Sequence, residues 1–212
     1  MKDLKLLIEK CRNSHSSFIL VVLRYLFYRV LGKNILANQR AIVRGARNIY
    51  SDGLVQIGMS RCGFMHKNDW TYLNVRGKLI FKGRYSIGKG CRFDIARGAV
   101  AKIGSGYVNA NSKFVIMHGI EIGDRCAISW GCEFLDEDFH ELIYEGRKHK
   151  NNSIIIGDDV WVGSNVTVLK GCRIPDGCVI ASGSLVASVF EKRNCLLAGN
   201  PAKVIKDNIQ WK

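Results

Sequence analysis

The chain has 212 residues, 47% hydrophobic and 24% charged, a composition typical of globular proteins that excludes disordered and collagen-like chains. The length favours one domain, with at most a small appendage. Basic residues exceed acidic ones by 14, and the excess lies early: residues 1–50 carry +8 (10 against 2) and residues 51–100 carry +6 (9 against 3). Such charge suits nucleic acid, an anionic membrane face or an acidic glycan, or serves solubility alone.

The first predicted element is an N-terminal helical segment, residues 1–34. Residues 14–17 offer N-cap candidates, and the apolar run Phe18–Leu31 predicts a helix over Ser17–Leu31. Arg24 and Arg29 interrupt this run, which is shorter than the roughly 20 residues that cross a bilayer. We therefore expect neither a membrane span nor a secretory signal, but a helix that covers the end of the core or lies on a membrane surface.

A six-residue repeat organises the remaining chain, residues 35–207. Every sixth residue is aliphatic in one long run, namely Ile156, Val162, Val168, Ile174, Ile180 and Val186. An upstream set in the same register runs Ile116, Ile122, Ile128 and Phe134. Hexapeptide periods are typical of parallel β-helices, whereas strands alternate with period two and helices repeat every 3.6 residues. The sequence predicts an all-β coil with its aliphatic residues pointing into the axis, followed by a short tail, residues 208–212.

Five cysteines share one slot of this repeat, four residues after an aliphatic repeat start. They are Cys91, Cys126, Cys132, Cys172 and Cys178. The slot is predicted to be an interior corner that takes a small side chain, and free cysteine behaves as a small buried hydrophobe. We expect the 8 cysteines to be unpaired, with no disulfide framework or CxxC metal pair, which suits a reducing cytoplasm.

The repeat is interrupted between Phe134 and Ile156, whose separation is not a multiple of six. The polar segment 135–155 is predicted to leave the coil as an extruded loop, and loops of this length are usually functional. Upstream of Ile116 the register is poorer, since the separation of Ile87 and Ile103 is not a multiple of six either. We expect irregular coils there.

Three segments and the end of this loop carry a family resemblance. They read IGDRCAISWG (122–131), IGDDVWVGSNVTVLKGCRIPDGCVIASGSLV (156–186), AGNPAKVIKD (198–207) and FHEL (139–142). Their ordered combination resembles the hexapeptide-repeat acetyltransferases, in the sugar O-acetyltransferase branch related to galactoside and maltose acetyltransferases and to surface-polysaccharide O-acetyltransferases. The resemblance implies a left-handed parallel β-helix, acetyl-CoA as co-substrate, no metal, and a homotrimer with active sites between subunits.

The resemblance also implies roles for individual residues. The histidine before Glu-Leu, His140, would be the catalytic base. Asn109 would bind the acceptor, with Asn111 as second choice, and Asp138 would contact the substrate. The residues considered for orienting His140 are Asp136, Asp138 and Glu141. His118 and His149 are interpreted as solvated.

The implied CoA contacts lie in the later hexads and the closing segment. They are Trp161, Ser164, Ser182 and Gly183, with Lys203 and Lys206 facing the CoA phosphates. The chain has Ala187 and Ser188 where the family often has Thr-Lys, so one expected phosphate contact is missing.

The expected reaction is transfer of acetyl from acetyl-CoA to a hydroxyl of a saccharide, either a surface polysaccharide or a lipid- or nucleotide-linked sugar. A neutral imidazole can remove the hydroxyl proton as the oxygen attacks the thioester. The chain has no G-x-S-x-G nucleophile elbow, so direct transfer in a ternary complex is preferred. The basic N-terminal half favours an anionic acceptor, and the expected location is the cytoplasm, with peripheral contact to the inner membrane face as an option.

Three alternatives remain open. The first is N-acetylation of a nucleotide-linked amino sugar, or acetylation of an antibiotic, on a similar site. The second is a metal-dependent hydratase of this fold, which would need three histidines, although His118, His140 and His149 lack the expected close pair. The third is a non-catalytic anion-binding scaffold, where nucleic acid has only the basic charge in its favour.

Overall fold

The computed structural model describes residues 2–140, 143 and 152–212, and from Ile35 onward this chain winds into three-sided coils. Strands from successive coils stack into three sheets, A, B and C. The 7-stranded sheet B takes one strand from each coil, so the coils are numbered first to seventh. All strand pairs between coils are parallel, and the fold is the predicted left-handed β-helix, which is confirmed.

Sheet A consists of β1 (Ile35–Ala37), β4 (Val55–Ile57), β7 (Tyr85–Ile87), β10 (Gly106–Val108), β13 (Cys126–Ile128), β16 (Trp161–Val162), β19 (Val179–Ile180), β21 (Leu196–Gly199) and β22 (Ala202–Lys206). Sheet B consists of β2 (Ala41–Arg44), β5 (Thr71–Val75), β8 (Arg92–Ile95), β11 (Lys113–Ile116), β14 (Glu133–Leu135), β17 (Thr167–Leu169) and β20 (Leu185–Val186). Sheet C consists of β3 (Ile49–Ser51), β6 (Lys78–Phe81), β9 (Val100–Ile103), β12 (Gly119–Ile122), β15 (Ile154–Ile156) and β18 (Arg173–Ile174).

The core is the narrow axis of the coil. The aliphatic repeat starts from Ile156 to Val186 are all buried, as are the five cysteines of the corner slot. On sheet B the rings of Phe93, Phe114 and Phe134 stack in three successive coils, with centroid separations of 4.2 and 4.4 Å. Each core side chain therefore packs on the side chain at the equivalent position of the next coil.

The early coils pair regularly although their spacing is uneven. Val162 pairs with Ile180, and the separation of these two residues is a whole number of hexads. Phe93 pairs with Phe114 just as directly, although their separation is longer and is not a multiple of six. Corners of different length absorb the extra residues while the strands keep their register. The irregular coils expected upstream of Ile116 are therefore irregular in corner length and not in pairing.

Two segments leave the coil. Residues 58–70 depart between β4 and β5, which was not predicted, and residues 136–140 depart after β14, before the chain returns at β15. The predicted loop 135–155 begins there, and most of it lies outside the described residues. At the carboxyl end β21 and β22 form an antiparallel hairpin.

A helical hairpin precedes the coil. It comprises α1 (Lys2–Asn13) and α2 (Phe18–Val30), and a short 3-10 helix (Ala46–Asn48) follows in the first coil. The Ser17 hydroxyl caps α2 by accepting from the Leu20 amide at 3.5 Å. The helix packs on β1, with Val21 and Tyr28 as its buried residues. No helix among residues 2–140 and 152–212 is long and apolar enough to cross a membrane.

Candidate active site

Most of the predicted acceptor and CoA residues lie on one edge of the coil, where sheet A passes into sheet B (the A–B corner). Asn109 and Asn111 occupy this corner in the fourth coil, Ser164 in the sixth, and Ser182 and Gly183 in the seventh. The sixth and seventh coils are directly bonded: the Ser164 amide donates to Ser182 Oγ at 3.1 Å, and the Gly183 amide donates to the Ser164 carbonyl at 2.9 Å. The fold thus aligns these residues along the axis.

The two asparagines leave their amide groups available. Asn109 is half-buried and Asn111 is exposed, and neither side chain hydrogen-bonds to another described residue. Asn111 has a φ of 61°, a left-handed conformation that asparagine tolerates and that turns the chain at the corner. Both side chains are free to bind a polar ligand.

Trp161 lies on the outer face of sheet A beside this corner. Its indole N–H donates to Ser129 Oγ at 3.2 Å, which fixes the ring, and the ring remains exposed. Trp211 of the tail returns to within 6.1 Å of it, held by an indole donation to the Asp159 carbonyl at 2.7 Å. Trp211 was not predicted as a site residue, because nothing in the sequence of the tail fixes where it folds back.

Lys203 and Lys206 lie on β22, at the end of sheet A, and are exposed. Neither forms an ion pair with any described residue, whereas neighbouring Lys192 pairs with Asp207 at 2.5 Å. In the pairing with β21, Lys203 lies beside Ala198, toward the A–B corner, and Lys206 lies beside Leu196, at the other end of the strand.

His140 lies elsewhere, on the excursion that leaves the edge between sheets B and C (the B–C corner). It is exposed and makes no hydrogen bond to the described part of the chain. Asp138, predicted to contact substrate, forms an ion pair with Lys170 of the sixth coil at 2.7 Å. Glu141 and His149 lie outside the described residues.

Asp136 does not orient His140, and this option for its role was wrong. Its carboxylate is buried and accepts from three backbone amides of the fourth coil: Met117 at 2.6 Å, His118 at 2.8 Å and Gly119 at 2.7 Å. These are amides that the turn leaves without strand partners. Asp136 therefore pins the start of the excursion to the coil below.

His118 is exposed, as a solvated residue is, and it also binds neighbouring side chains. Its Nε2 donates to Glu137 Oε2 at 2.7 Å and lies 3.1 Å from Asn152 Nδ2, so the ring lies between the two ends of the excursion. The hydrogen bond from His118, followed by the Asp138 amide, lowers the pKa of Glu137 to about 2. The root of the His140 excursion is thus held by an ionised carboxylate across the whole physiological range.

The unpredicted excursion 58–70 lies along the A–B corner. Phe64 meets Trp130 of the fifth coil edge-to-face at 6.0 Å, and both rings are exposed. Met65 packs so closely on Gly90 that a Cβ there would lie 2.7 Å from Met65 Cε. The excursion therefore reaches the corner on both sides of the two asparagines.

A buried lysine anchors this excursion. Lys89 donates to the Lys67 carbonyl at 2.8 Å and to the Ser14 carbonyl at 3.4 Å, joining the excursion to the helical hairpin. Burial, and then the charge of Arg40, lower the pKa of Lys89. Arg61 and Lys67 of the excursion are exposed, so the region beside the asparagines is basic.

One chain therefore places Asn109, Asn111, Ser164, Ser182 and Gly183 along the A–B corner, and leaves Asp138 and His140 at the B–C corner. No hydrogen bond or ion pair joins the two sets among the described residues. Among residues 2–140, 143 and 152–212, no group of three or more His, Cys, Asp or Glu side chains is arranged to hold a metal ion.

A model of the bacterial transferase hexapeptide (six repeats) matches residues 153–188, which run from the end of the His140 excursion to the seventh coil. An uncharacterized 24.8 kDa protein in the cps region of Klebsiella pneumoniae is 39% identical over 214 residues, covering 100% of this chain and 96% of that protein. The chain belongs to the hexapeptide-repeat transferases. The predicted family is confirmed.

Two solved structures are similar to this chain. A mutant of AntD, an N-acyltransferase from Bacillus cereus, in complex with dTDP and coenzyme A, has a TM-score of 0.55 and 17% identity, over 84% of this chain and 82% of AntD. The polysialic acid O-acetyltransferase OatWY has a TM-score of 0.45 and 24% identity, over 84% of this chain and 90% of OatWY. The AntD similarity shows the fold of the hexapeptide-repeat transferases and no more.

Proposed function

We propose that this hexapeptide-repeat transferase moves an acetyl group from acetyl-CoA to a hydroxyl of a saccharide, with His140 as general base. The observation that carries the proposal is the imidazole of His140, exposed on a firmly rooted excursion and free of hydrogen bonds to the described residues. A base must leave a ring nitrogen open to the substrate, and His140 does so, whereas Nε2 of His118 is occupied by Glu137.

The chemistry needs no covalent intermediate. His140 takes the hydroxyl proton as the acceptor oxygen bonds to the thioester carbonyl carbon. The carbon–sulfur bond then breaks, and the imidazolium returns the proton to the CoA sulfur, giving an O-acetyl ester and free CoA. General base catalysis of this kind contributes about 10²–10⁴-fold in rate.

The A–B corner suits acetyl-CoA as the second substrate. Ser164, Ser182 and Gly183 form a polar line along the sixth and seventh coils, beside the exposed face of Trp161. Lys203 and Lys206 lie beyond it without acidic partners among the described residues, which suits phosphate groups. The polar line would hold the pantetheine arm.

The acceptor would lie at the fourth and fifth coils. Asn109 offers a free amide for sugar hydroxyls, and the exposed pair of Phe64 and Trp130 offers apolar ring faces to a sugar. Arg61 and Lys67 beside them favour an anionic saccharide.

The site requires a second copy of the chain. His140 and the donor residues lie on different corners, so the excursion of one chain would reach the A–B corner of its neighbour. A closed ring of such contacts is a homotrimer, as the family resemblance implies. The proposed location is the cytoplasm, at the inner membrane face; unpaired buried cysteines support the first part, and the basic N-terminal region supports the second.

The reaction is tested by following CoA release with neutral, acidic and amino sugars as acceptors. His140→Ala is expected to lower turnover at least about a hundredfold while CoA binding, measured by calorimetry, is unchanged. His15→Ala, an exposed histidine of the helical hairpin, is the matched control and keeps full turnover. Retained turnover in His140→Ala contradicts the base assignment, and transfer to amines alone contradicts O-acetylation.

A further inference from the structure

Helix α2 is apolar on the side that faces away from the core. Five large apolar side chains lie along this side of the helix, and each is more than half exposed. They are Ile19, Leu23, Leu26, Phe27 and Val30, and we name them the α2 stripe. Residues at this spacing share one helix face, and the buried Val21 and Tyr28 lie on roughly the opposite face.

An ordinary surface helix has polar residues opposite its buried face. Here no charged residue interrupts the α2 stripe, while Arg24 and Arg29 lie along its two margins. Contiguous apolar patches of this kind mark binding surfaces. The arrangement, an apolar face bordered by cations, is that of helices that lie in the interface of a membrane.

The apolar surface continues onto the coil. Leu20, Leu23 and Phe27 form, with Ile42 and Trp70, much of the wall of an open cleft of about 480 Å³ between α2 and the start of sheet B. Trp70 and Ile42 are themselves exposed. Tryptophan favours the boundary between hydrocarbon and water, so it would anchor the edge of such a surface.

Arg24 is held in a fixed position on the margin of the cleft. Its guanidinium donates to the Ala41 carbonyl at 2.6 Å and to the Tyr28 hydroxyl at 3.4 Å. Neither partner is acidic, so the positive charge is not neutralised there. The charge would face the headgroup layer when the stripe is covered.

The charge distribution decides between a lipid surface and a second copy of the chain. Residues 1–50 contain 10 basic residues and only Asp3 and Glu9 as acidic ones. Two copies joined through the α2 stripe would bring two such regions together, which is unfavourable. An anionic lipid surface complements the same region and covers the apolar side chains.

We infer that the α2 stripe and the adjoining cleft dock this protein onto an anionic lipid bilayer, with α2 lying in the interface. At about 1.5 Å per residue, a helix of 13 residues is roughly 20 Å long, which is too short to span the hydrocarbon layer. The helix packs on the first coil, and the sixth coil lies five strand spacings away, roughly 24 Å along the axis.

The test is co-sedimentation of the full chain with vesicles containing phosphatidylglycerol, and with vesicles of phosphatidylcholine alone. The protein is expected to bind the first and to bind the second at least about tenfold more weakly. Leu23→Gln with Phe27→Gln should lower binding to the anionic vesicles at least about tenfold, because it removes two side chains that enter the interface. Arg29→Gln should weaken binding to the anionic vesicles only.

The matched control is Ile155→Gln with Val189→Gln, two exposed apolar residues of later coils, which should bind as the wild type does. Circular dichroism and light scattering verify that the paired α2 variant keeps its fold and its number of copies. Acetyl transfer to a soluble acceptor should be unchanged in it, which separates docking from the proposed reaction. Failure of the wild type to bind anionic vesicles, or undiminished binding by the α2 variant, overturns the inference. A change in the number of copies also overturns it, since the stripe would then join chains.

Discussion

Asp136 shows how a single carboxylate fixes the start of the excursion that carries His140. It directly follows β14, where the chain leaves the coil. Its two carboxylate oxygens accept hydrogen bonds from three backbone amides of the fourth coil. Glu137 and Asp138, the next two residues, bind His118 and Lys170 of neighbouring coils. Three consecutive acidic residues thus set the direction in which the chain leaves toward His140.

Asp136→Ala is expected to destabilise the protein by at least about 3 kcal/mol, because three backbone amides lose their buried acceptor. Asp138→Ala is the matched control and should cost no more than about 1 kcal/mol, since Asp138 is exposed in its ion pair with Lys170. Urea unfolding followed by circular dichroism measures both. Equal effects of the two substitutions would show that the buried carboxylate does not pin the turn.

At the scale of structural elements, the corners separate the buried cysteines from the solvent. Burial raises the pKa of Cys91 to about 12 and those of Cys126, Cys132 and Cys172 to about 11. Cys62 lies on the excursion 58–70 and is the half-buried exception among the 8 cysteines. Reactivity toward thiol reagents should follow this division, because the thiolate is the reacting form.

The native protein should therefore release about one equivalent of thionitrobenzoate rapidly from Ellman's reagent at mildly alkaline pH, and the unfolded protein all 8. Cys62→Ser should abolish the fast phase. Rapid reaction of further thiols in folded Cys62→Ser would mean that the corner slots are open to solvent.

The sequence predicted the later coils well, because from Ile156 to Val186 aliphatic residues recur at a constant spacing. It did not reveal the excursion 58–70. Ile57 and Ile87 pair in adjacent coils, and their separation in sequence is a multiple of six. The excursion between them therefore leaves the six-residue repeat in register and gives no sign of itself in the sequence. The bond between His118 and Glu137 was equally hidden, because it joins residues from two coils whose alignment depends on corner lengths.

At the scale of the whole molecule, the three-cornered coil separates the parts of the proposed site. The base leaves one corner, and the residues for both substrates line another. In the proposed trimer, activity depends on how the chains are arranged around each other as well as on the fold of one chain.

Mixing two inactive variants tests this dependence. His140→Ala lacks the base, and Ser164→Trp should block the CoA path over the sixth coil. In trimers reassembled from equal amounts of both, about one site in four combines an intact base from one chain with an intact corner from the next, and about a quarter of wild-type turnover should return. Each variant mixed with wild type gives the reference. No recovery in verified mixed trimers would place the whole site within a single chain.

The two ends of the coil, unlike its sides, carry strand edges that could pair with other molecules. A stack of parallel strands would expose a row of unpaired amides and carbonyls at each end, a template for further chains. Here α2 packs against β1, and β22 runs antiparallel along β21, with Lys203, Lys206 and Asp207 in or next to it. A strand from another molecule would meet a helix at one end of sheet A and a charged, reversed strand at the other, so fibrous end-to-end growth is blocked along that sheet.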